Sequence, residues 1–114
     1  MITIYHNPRC KKSREGLAIL EESGKDFKII KYLDNVPSKT EITSLLSKLK
    51  MAPMDLVRTQ EKIWKDNFKG KSFSDAEIIE ALHENPKLIE RPIVIHGEQA
   101  VVGRPPEKIK DILE

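Results

Sequence analysis

Residues 1–32 read MITIYHNPRCKKSREGLAILEESGKDFKIIKY, and they predict most of the architecture of this 114-residue chain. Residues 1–5 and 27–32 are short runs rich in β-branched and aromatic residues, which predicts two strands. Between them, residues 11–23 carry apolar positions among good helix formers, and Gly24 is a typical helix terminator. A strand, a helix and a strand in this order predict a parallel βαβ unit.

Further along, two helices are predicted from their first residues. SKTE at 38–41 and SDAE at 74–77 both match the capping box, in which Ser and Glu side chains satisfy free backbone N–H groups at a helix start. After the first box, four apolar residues repeat at the spacing of one helical face: Ile42, Leu45, Leu46 and Leu49. Residues 51–71 predict one or two short helices.

The last part of the chain predicts a hairpin and a final helix. Residues 93–95 and 100–102 are apolar runs separated by HGEQ, a loop of hairpin length. Pro105 and Pro106 begin a helix with Ile109, Ile112 and Leu113 on one side. A βαβ half and a ββα half predict an α/β fold with a thioredoxin-like mixed sheet. We expect a single domain over residues 1–114, with a helical insertion at about residues 37–86.

Composition and charge exclude several functional classes. Twenty Lys and Arg against eighteen Asp and Glu give a net charge of only +2, so there is no field for non-specific nucleic-acid binding. No apolar run approaches the roughly 18 residues that a membrane span needs, and no leader pattern opens the sequence. We therefore expect a cytoplasmic monomer without nucleic-acid or membrane partners.

The only cysteine, Cys10, lies where the first strand gives way to the first helix. A buried structural cysteine is one interpretation of a lone thiol. The alternative is a reactive thiolate, because a helix N-terminus and the cations Arg9, Lys11, Lys12 and Arg14 all lower a thiol pKa. These charges favour the reactive interpretation. One thiol cannot close an internal disulfide, so any redox chemistry needs a second sulfur from elsewhere.

The residues at fixed positions after Cys10 exclude two classes of cysteine enzyme. A cysteine phosphatase has an arginine six positions after its cysteine, where this chain has Gly16. A dithiol oxidoreductase has a second cysteine where Ser13 stands, so the pattern is CxxS, and the Ser13 hydroxyl can donate a hydrogen bond to a thiolate. One cysteine and three scattered histidines match no zinc-ligand spacing, and we expect no metal and no bound cofactor.

Four motifs together resemble the glutaredoxin-linked arsenate reductase family. They are HNPRCKKSR at 6–14, Val-Arg ending at Arg58, ERPIVI at 90–95 and GRP at 103–105, and their order and approximate spacing hold over nearly the whole chain. The resemblance implies that Cys10 is the nucleophile that attacks arsenate. It also implies that Arg58, Arg91 and Arg104 bind the oxyanion and its thiolate adduct. Guanidinium forks suit such a tetrahedral anion because they donate two hydrogen bonds at once.

The same resemblance implies the supporting residues and the partners. Pro92 corresponds to the cis-proline that thioredoxin-like domains place opposite the active-site thiol. Apart from the resemblance, His6 near the chain reversal is either a plain hydrogen-bonding residue or one that shapes the Cys10 loop or tunes its thiol. Glutathione is the implied co-substrate and glutaredoxin the implied partner.

Two other functions stay open at this stage. Lys11 and Lys12 are bulkier and more basic than expected for the family, which leaves room for a monothiol-transfer role on another substrate. Redox regulators that bind RNA polymerase share the fold, but they use a CxxC switch that Ser13 removes.

Overall fold

The computed structural model describes residues 2–113; Met1, predicted to open the first strand, lies outside them. The chain packs into two compact units. The first comprises the described parts of Met1–Asn35 and Arg91–Glu114, and the second is Val36–Glu90.

A four-stranded mixed sheet forms the first unit. Its elements are β1 (Ile2–Tyr5), α1 (Lys11–Ser23), β2 (Phe27–Ile30), β3 (Ile93–His96), β4 (Gln99–Val102) and a closing 3₁₀ helix (Pro106–Ile112). The strand order is β2-β1-β3-β4, with β1 parallel to β2 and with β3 antiparallel to both of its neighbours. The predicted βαβ unit, the hairpin and the thioredoxin-like α/β sheet are thereby confirmed.

Helix α1 begins and ends where the sequence predicts. Cys10 is its N-cap in an extended conformation, and Gly24 ends it in the left-handed region with φ +74°. Strand β2 is two residues shorter than predicted, because the carbonyl oxygen of Lys31 accepts the N–H groups of Asp34 and Asn35 at 3.0 and 2.9 Å. The chain therefore turns at Lys31 instead of continuing the sheet.

The end of the chain differs from the prediction in two details. The hairpin loop has two residues and not four, because His96 pairs with Gln99 and continues the ladder. Gly97, with φ +64°, occupies the first loop position, where two-residue hairpins favour glycine. The last helix is a 3₁₀ helix instead of an α-helix, and it starts at Pro106 directly after Pro105.

The core of the first unit lies between the sheet and two helices. It contains residues of β1, α1, β3 and the closing 3₁₀ helix: Ile2, Ile4, Leu20, Val94, Ile109, Ile112 and Leu113. Leu20 and Ile109 are fully buried. Burial of these side chains holds α1 against the sheet, which positions the N-terminus of α1 next to the end of β1.

The second unit is built mainly from helices. They are α2 (Lys39–Leu49), a 3₁₀ turn (Pro53–Leu56), α3 (Lys62–Asn67), α4 (Asp75–Glu84) and a second 3₁₀ turn (Pro86–Leu88). Both predicted capping boxes are present, at Ser38 with Glu41 and at Ser74 with Glu77. The prediction of one or two short helices within 51–71 is also confirmed, by the first 3₁₀ turn and α3. Among residues 2–113, no helix has both the length and the apolar character needed to cross a membrane.

Candidate active site

The strand register gathers three segments at one edge of the sheet. Ile93 pairs with Tyr5 on one side and with Val102 on the other. The end of β1, the start of β3 and the end of β4 therefore coincide. Three of the predicted site residues lie on segments that leave the sheet here: Cys10, Arg91 and Arg104.

A tight turn brings the chain from β1 to Cys10. The Cys10 N–H donates to the Asn7 carbonyl oxygen at 3.0 Å, and the Arg9 N–H donates to Asn7 Oδ1 at 3.0 Å. The Cys10 carbonyl oxygen then accepts the Arg14 N–H at 3.0 Å, which is the first hydrogen bond of α1. The half-buried Cys10 side chain thus stands at a helix N-terminus, where free N–H groups favour a negative charge.

The pKa of the Cys10 thiol lies below its ordinary value. Burial alone raises this pKa, but three other effects outweigh burial. The backbone N–H of Ser13, the hydrogen bond and positive charge of the Arg91 side chain, and the backbone N–H of Lys12 all favour the thiolate. The predicted direction of the shift is confirmed. Its causes are the helix N-terminus and Arg91 rather than the neighbouring cationic side chains, which are exposed.

The Ser13 hydroxyl does not contact Cys10, so this prediction is wrong. Ser13 Oγ lies 2.7 Å from His6 Nδ1 and accepts the Asn7 N–H at 2.9 Å, and all three residues are buried. The backbone N–H of His6 donates to the Ile30 carbonyl oxygen at 2.9 Å. His6 and Ser13 therefore hold the Cys10 loop in shape.

The pKa of His6 lies below its ordinary value, which favours the neutral ring. Burial lowers its pKa most, and the positive charges of Lys31 and Arg14 lower it further, while the Ser13 contact raises it. A neutral imidazole suits the short contact with the buried hydroxyl, which can then donate its proton to the ring nitrogen.

Arg91 and Arg104 meet through a direct contact. Arg104 Nη1 donates to the Arg91 carbonyl oxygen at 3.2 Å. The Arg91 side chain acts on Cys10 as well, because its hydrogen bonding and positive charge lower the pKa of the thiol. The Arg91–Pro92 peptide bond is cis, as the resemblance implied, and Arg104–Pro105 is cis as well. Cys10, Arg91, Pro92 and Arg104 are thus brought together in the first unit.

Two glycines that the sequence analysis did not assign to the site allow Pro92 to approach. An ideal Cβ on Gly16 would lie 2.8 Å from Pro92 Cγ, and one on Gly103 would lie 3.0 Å from the same atom. Both would also lie 2.9 Å from Ile109 Cδ1. A glycine inside a predicted helix was the available signal for Gly16, because glycine is unfavourable there unless a neighbour comes close.

Arg58 lies in the second unit, where carboxylates surround it. Its guanidinium contacts Glu61 at 2.8 Å and Glu90 at 3.3 Å. Its backbone N–H donates to the Leu88 carbonyl oxygen at 2.7 Å, beside the bridge between Val57 and Ile89. These contacts support the local fold of this unit. Oxyanion binding by Arg58 stays a prediction, since an anion would compete with two carboxylates.

The described histidines and carboxylates do not gather into a metal-binding group. Residues 2–113 contain no group of three or more His, Cys, Asp or Glu side chains arranged to hold a metal ion. The Nδ1 atom of His83 contacts the Pro37 carbonyl oxygen at 2.8 Å, and that of His96 contacts the Ile112 carbonyl oxygen at 2.5 Å. These two histidines hold backbone segments together.

Comparison with known proteins agrees with this geometry. The sequence profile of the ArsC family matches residues 5–112. An arsenate reductase of Haemophilus influenzae is 43% identical over 114 residues, which is 98% of each chain. A protein of Escherichia coli K12 named only as uncharacterized protein YfgD is 40% identical, over 98% of this chain and 96% of its own.

Solved structures agree as well. A structure described as arsenate reductase from Vibrio cholerae superposes with a TM-score of 0.94 at 45% identity, covering 98% of this chain and 97% of the other. Matched over nearly its whole length in both sequence and fold, this chain belongs to the ArsC family.

Proposed function

We propose that this protein is an oxidoreductase that reduces arsenate to arsenite through a Cys10–arsenate adduct resolved by glutathione and glutaredoxin. The observation that carries the proposal is the position of Cys10 as the N-cap of α1, where the Arg91 side chain lowers the pKa of its thiol. Arsenate reductases among the relatives support the choice of substrate.

The Arg91 side chain addresses the main physical difficulty of the reaction. A thiolate and arsenate are both anions, so they repel unless positive charge lies between them. Arg91 stabilises the thiolate with a guanidinium, a group that also recognises oxyanions through paired hydrogen bonds. Arg104, hydrogen-bonded to the Arg91 backbone, adds a second guanidinium at the same sheet edge. Both guanidinium charges also stabilise the negative charge that develops at the arsenic during the displacement.

The first chemical step is a displacement at arsenic. The Cys10 thiolate forms a sulfur–arsenic bond, and one arsenic–oxygen bond breaks. The departing oxygen takes up two protons and leaves as water. Arsenic stays in the +5 state, so this step involves no electron transfer.

The second step needs an external thiol, because the chain has one cysteine. The thiolate of glutathione attacks the Cys10 sulfur, a disulfide forms, and the sulfur–arsenic bond breaks. The bonding electron pair stays with arsenic, which is reduced to the +3 state and leaves as arsenite. Glutaredoxin then removes glutathione from Cys10 by thiol–disulfide exchange. A cytoplasmic location supplies both thiols, and glutathione acts as co-substrate rather than as a bound cofactor.

Turnover with arsenate, glutathione and glutaredoxin tests the proposal. We expect arsenite to form catalytically with the wild-type protein and not with Cys10→Ser, whose hydroxyl replaces the thiol at the same helix N-terminus. Omission of glutaredoxin should stop turnover after the first cycles. If the wild-type protein forms arsenite no faster than Cys10→Ser, arsenate is not its substrate and another monothiol-transfer reaction is favoured.

A further inference from the structure

We propose that a cavity next to the Cys10 loop binds glutathione, the thiol that resolves the Cys10 adduct; this inference rests on the proposed function. The cavity has a volume of about 310 Å³ and lies within the first unit. One wall is residues 6–9 of the Cys10 loop, and the other is formed by Lys31, Leu33 and Asp34 after β2. Its volume falls at the lower end of the roughly 300–1,000 Å³ typical of small-ligand sites.

Hydrogen bonds fix both walls of the cavity before any ligand arrives. The backbone N–H of His6 donates to the Ile30 carbonyl oxygen at 2.9 Å, which joins the two walls where β1 and β2 end. On the far wall, the Lys31 carbonyl oxygen accepts the Asp34 N–H at 3.0 Å and closes a turn. A site that is already ordered loses less entropy when a flexible peptide binds.

The charges on the walls match those of glutathione. This tripeptide carries two carboxylates and one ammonium group, and the cavity offers the cations Arg9 and Lys31 and the anion Asp34. All three side chains belong to exposed residues and are free to orient toward a ligand. Lys31 and His6 both line the cavity, and the positive charge of Lys31 lowers the pKa of His6.

Cys10 lies within reach of a tripeptide in this cavity. Cys10 directly follows Arg9 of the cavity wall, and its backbone N–H donates to the carbonyl oxygen of Asn7, another residue of that wall, at 3.0 Å. An extended tripeptide spans about 10 Å. In the proposed site, a peptide anchored by its terminal charges beside Arg9 holds its central thiol next to the following residue, Cys10, whose sulfur is attacked in the second step.

The test uses a reaction that contains no arsenic. Ellman's reagent converts Cys10 to a mixed disulfide with thionitrobenzoate, a good leaving group. Attack of glutathione on the Cys10 sulfur forms a Cys10–glutathione disulfide and releases coloured thionitrobenzoate. We expect the release rate of the wild-type protein to saturate with glutathione and to increase linearly with uncharged 2-mercaptoethanol. S-methylglutathione, which has no free thiol, should inhibit competitively.

Charge reversal at Lys31 provides the decisive variant. Lys31→Glu should lower the glutathione rate at low concentration by about five- to tenfold, since an attraction is replaced by a repulsion at an exposed site. Its rate with 2-mercaptoethanol should equal that of the wild type, which excludes an altered thiol. Lys25→Glu makes the same charge change at an exposed residue outside the cavity wall and should behave as wild type.

Two results would overturn the glutathione site. One is a linear glutathione dependence in the wild-type protein without inhibition by S-methylglutathione. The other is an equal loss of glutathione rate in Lys31→Glu and Lys25→Glu, which would indicate a general charge effect. Neither result depends on arsenate turnover, so failure of this site is distinguishable from failure of the proposed function.

Discussion

Replacement of Gly16 by alanine should disturb both the stability of the fold and the reactivity of Cys10. Gly16 is a buried residue of α1, and its missing side chain leaves room for Pro92. The added methyl group would lie 2.8 Å from Pro92 Cγ and 2.9 Å from Ile109 Cδ1. Both neighbours are almost completely buried, so neither can move without displacing other side chains.

Two opposing terms determine the size of the stability change. Alanine is a better helix former than glycine, which favours the variant by about 1 kcal/mol. Overpacking a well-packed core costs roughly 1–3 kcal/mol, and contacts below 3 Å with two buried groups belong in the upper part of that range. We expect a net loss of about 1–2 kcal/mol in the free energy of unfolding. Displacement of Pro92 also moves Arg91 away from Cys10, which raises the pKa of the thiol.

Urea unfolding and the pH dependence of alkylation by iodoacetamide measure the two effects. The matched control is Ala18→Gly, at an exposed position of the same helix, which should cost about 1 kcal/mol without touching Pro92. The alkylation midpoint should move to higher pH in Gly16→Ala and stay at the wild-type value in Ala18→Gly. A stabilised Gly16→Ala, or equal alkylation midpoints in both variants, would refute this reasoning.

Three further predictions concern the site. Arg91→Lys keeps a charge but loses the guanidinium fork, so kcat/KM for arsenate should fall about tenfold or more; a value equal to wild type would argue against bidentate recognition. Ser13→Ala should cost about 1–3 kcal/mol in urea unfolding, because the buried His6 ring and the Asn7 N–H lose their shared partner. Its alkylation midpoint should stay unchanged, since the backbone N–H of residue 13 remains; a large shift would assign the effect on Cys10 to the hydroxyl. Finally, the pKa of His6 in the folded state lies below its ordinary 6.5, so the unfolded state takes up the proton first. The free energy of unfolding should therefore decrease as the pH falls from 6.5 through the folded pKa, and a His6→Gln variant measured at pH 7 and pH 5 should show a smaller decrease.

Sequence patterns of a few residues correctly predicted those elements whose limits depend on residues close together in the chain. The limits of α1 follow from Cys10 and Gly24, and both capping boxes follow from pairs three residues apart. Predictions failed where a competing hydrogen bond ended or extended an element. Lys31 ends β2 by accepting turn hydrogen bonds, and this competition depends on three-dimensional arrangement more than on strand propensity.

The candidate site was predictable in its residues and less so in its contacts. The family motifs indicated Cys10 and Arg91. The sequence also suggested that the neighbouring cations lower the pKa of the Cys10 thiol, and this part of the explanation was wrong. Backbone N–H groups at the start of α1 and a guanidinium from a distant segment are the actual causes of the lowered pKa. The Ser13 hydroxyl was assigned to the wrong partner, because the fold brings the His6 ring to it.

A single-turnover experiment with arsenate and pre-reduced protein tests the role of Cys10 as the only thiol of the chain. No thiol is added at first, and released arsenite is quantified against protein. We expect no arsenite until glutathione is added, then release in proportion to the Cys10 present, because one thiol forms the adduct but cannot complete a disulfide. Stoichiometric arsenite released by the protein alone would contradict the external-thiol mechanism.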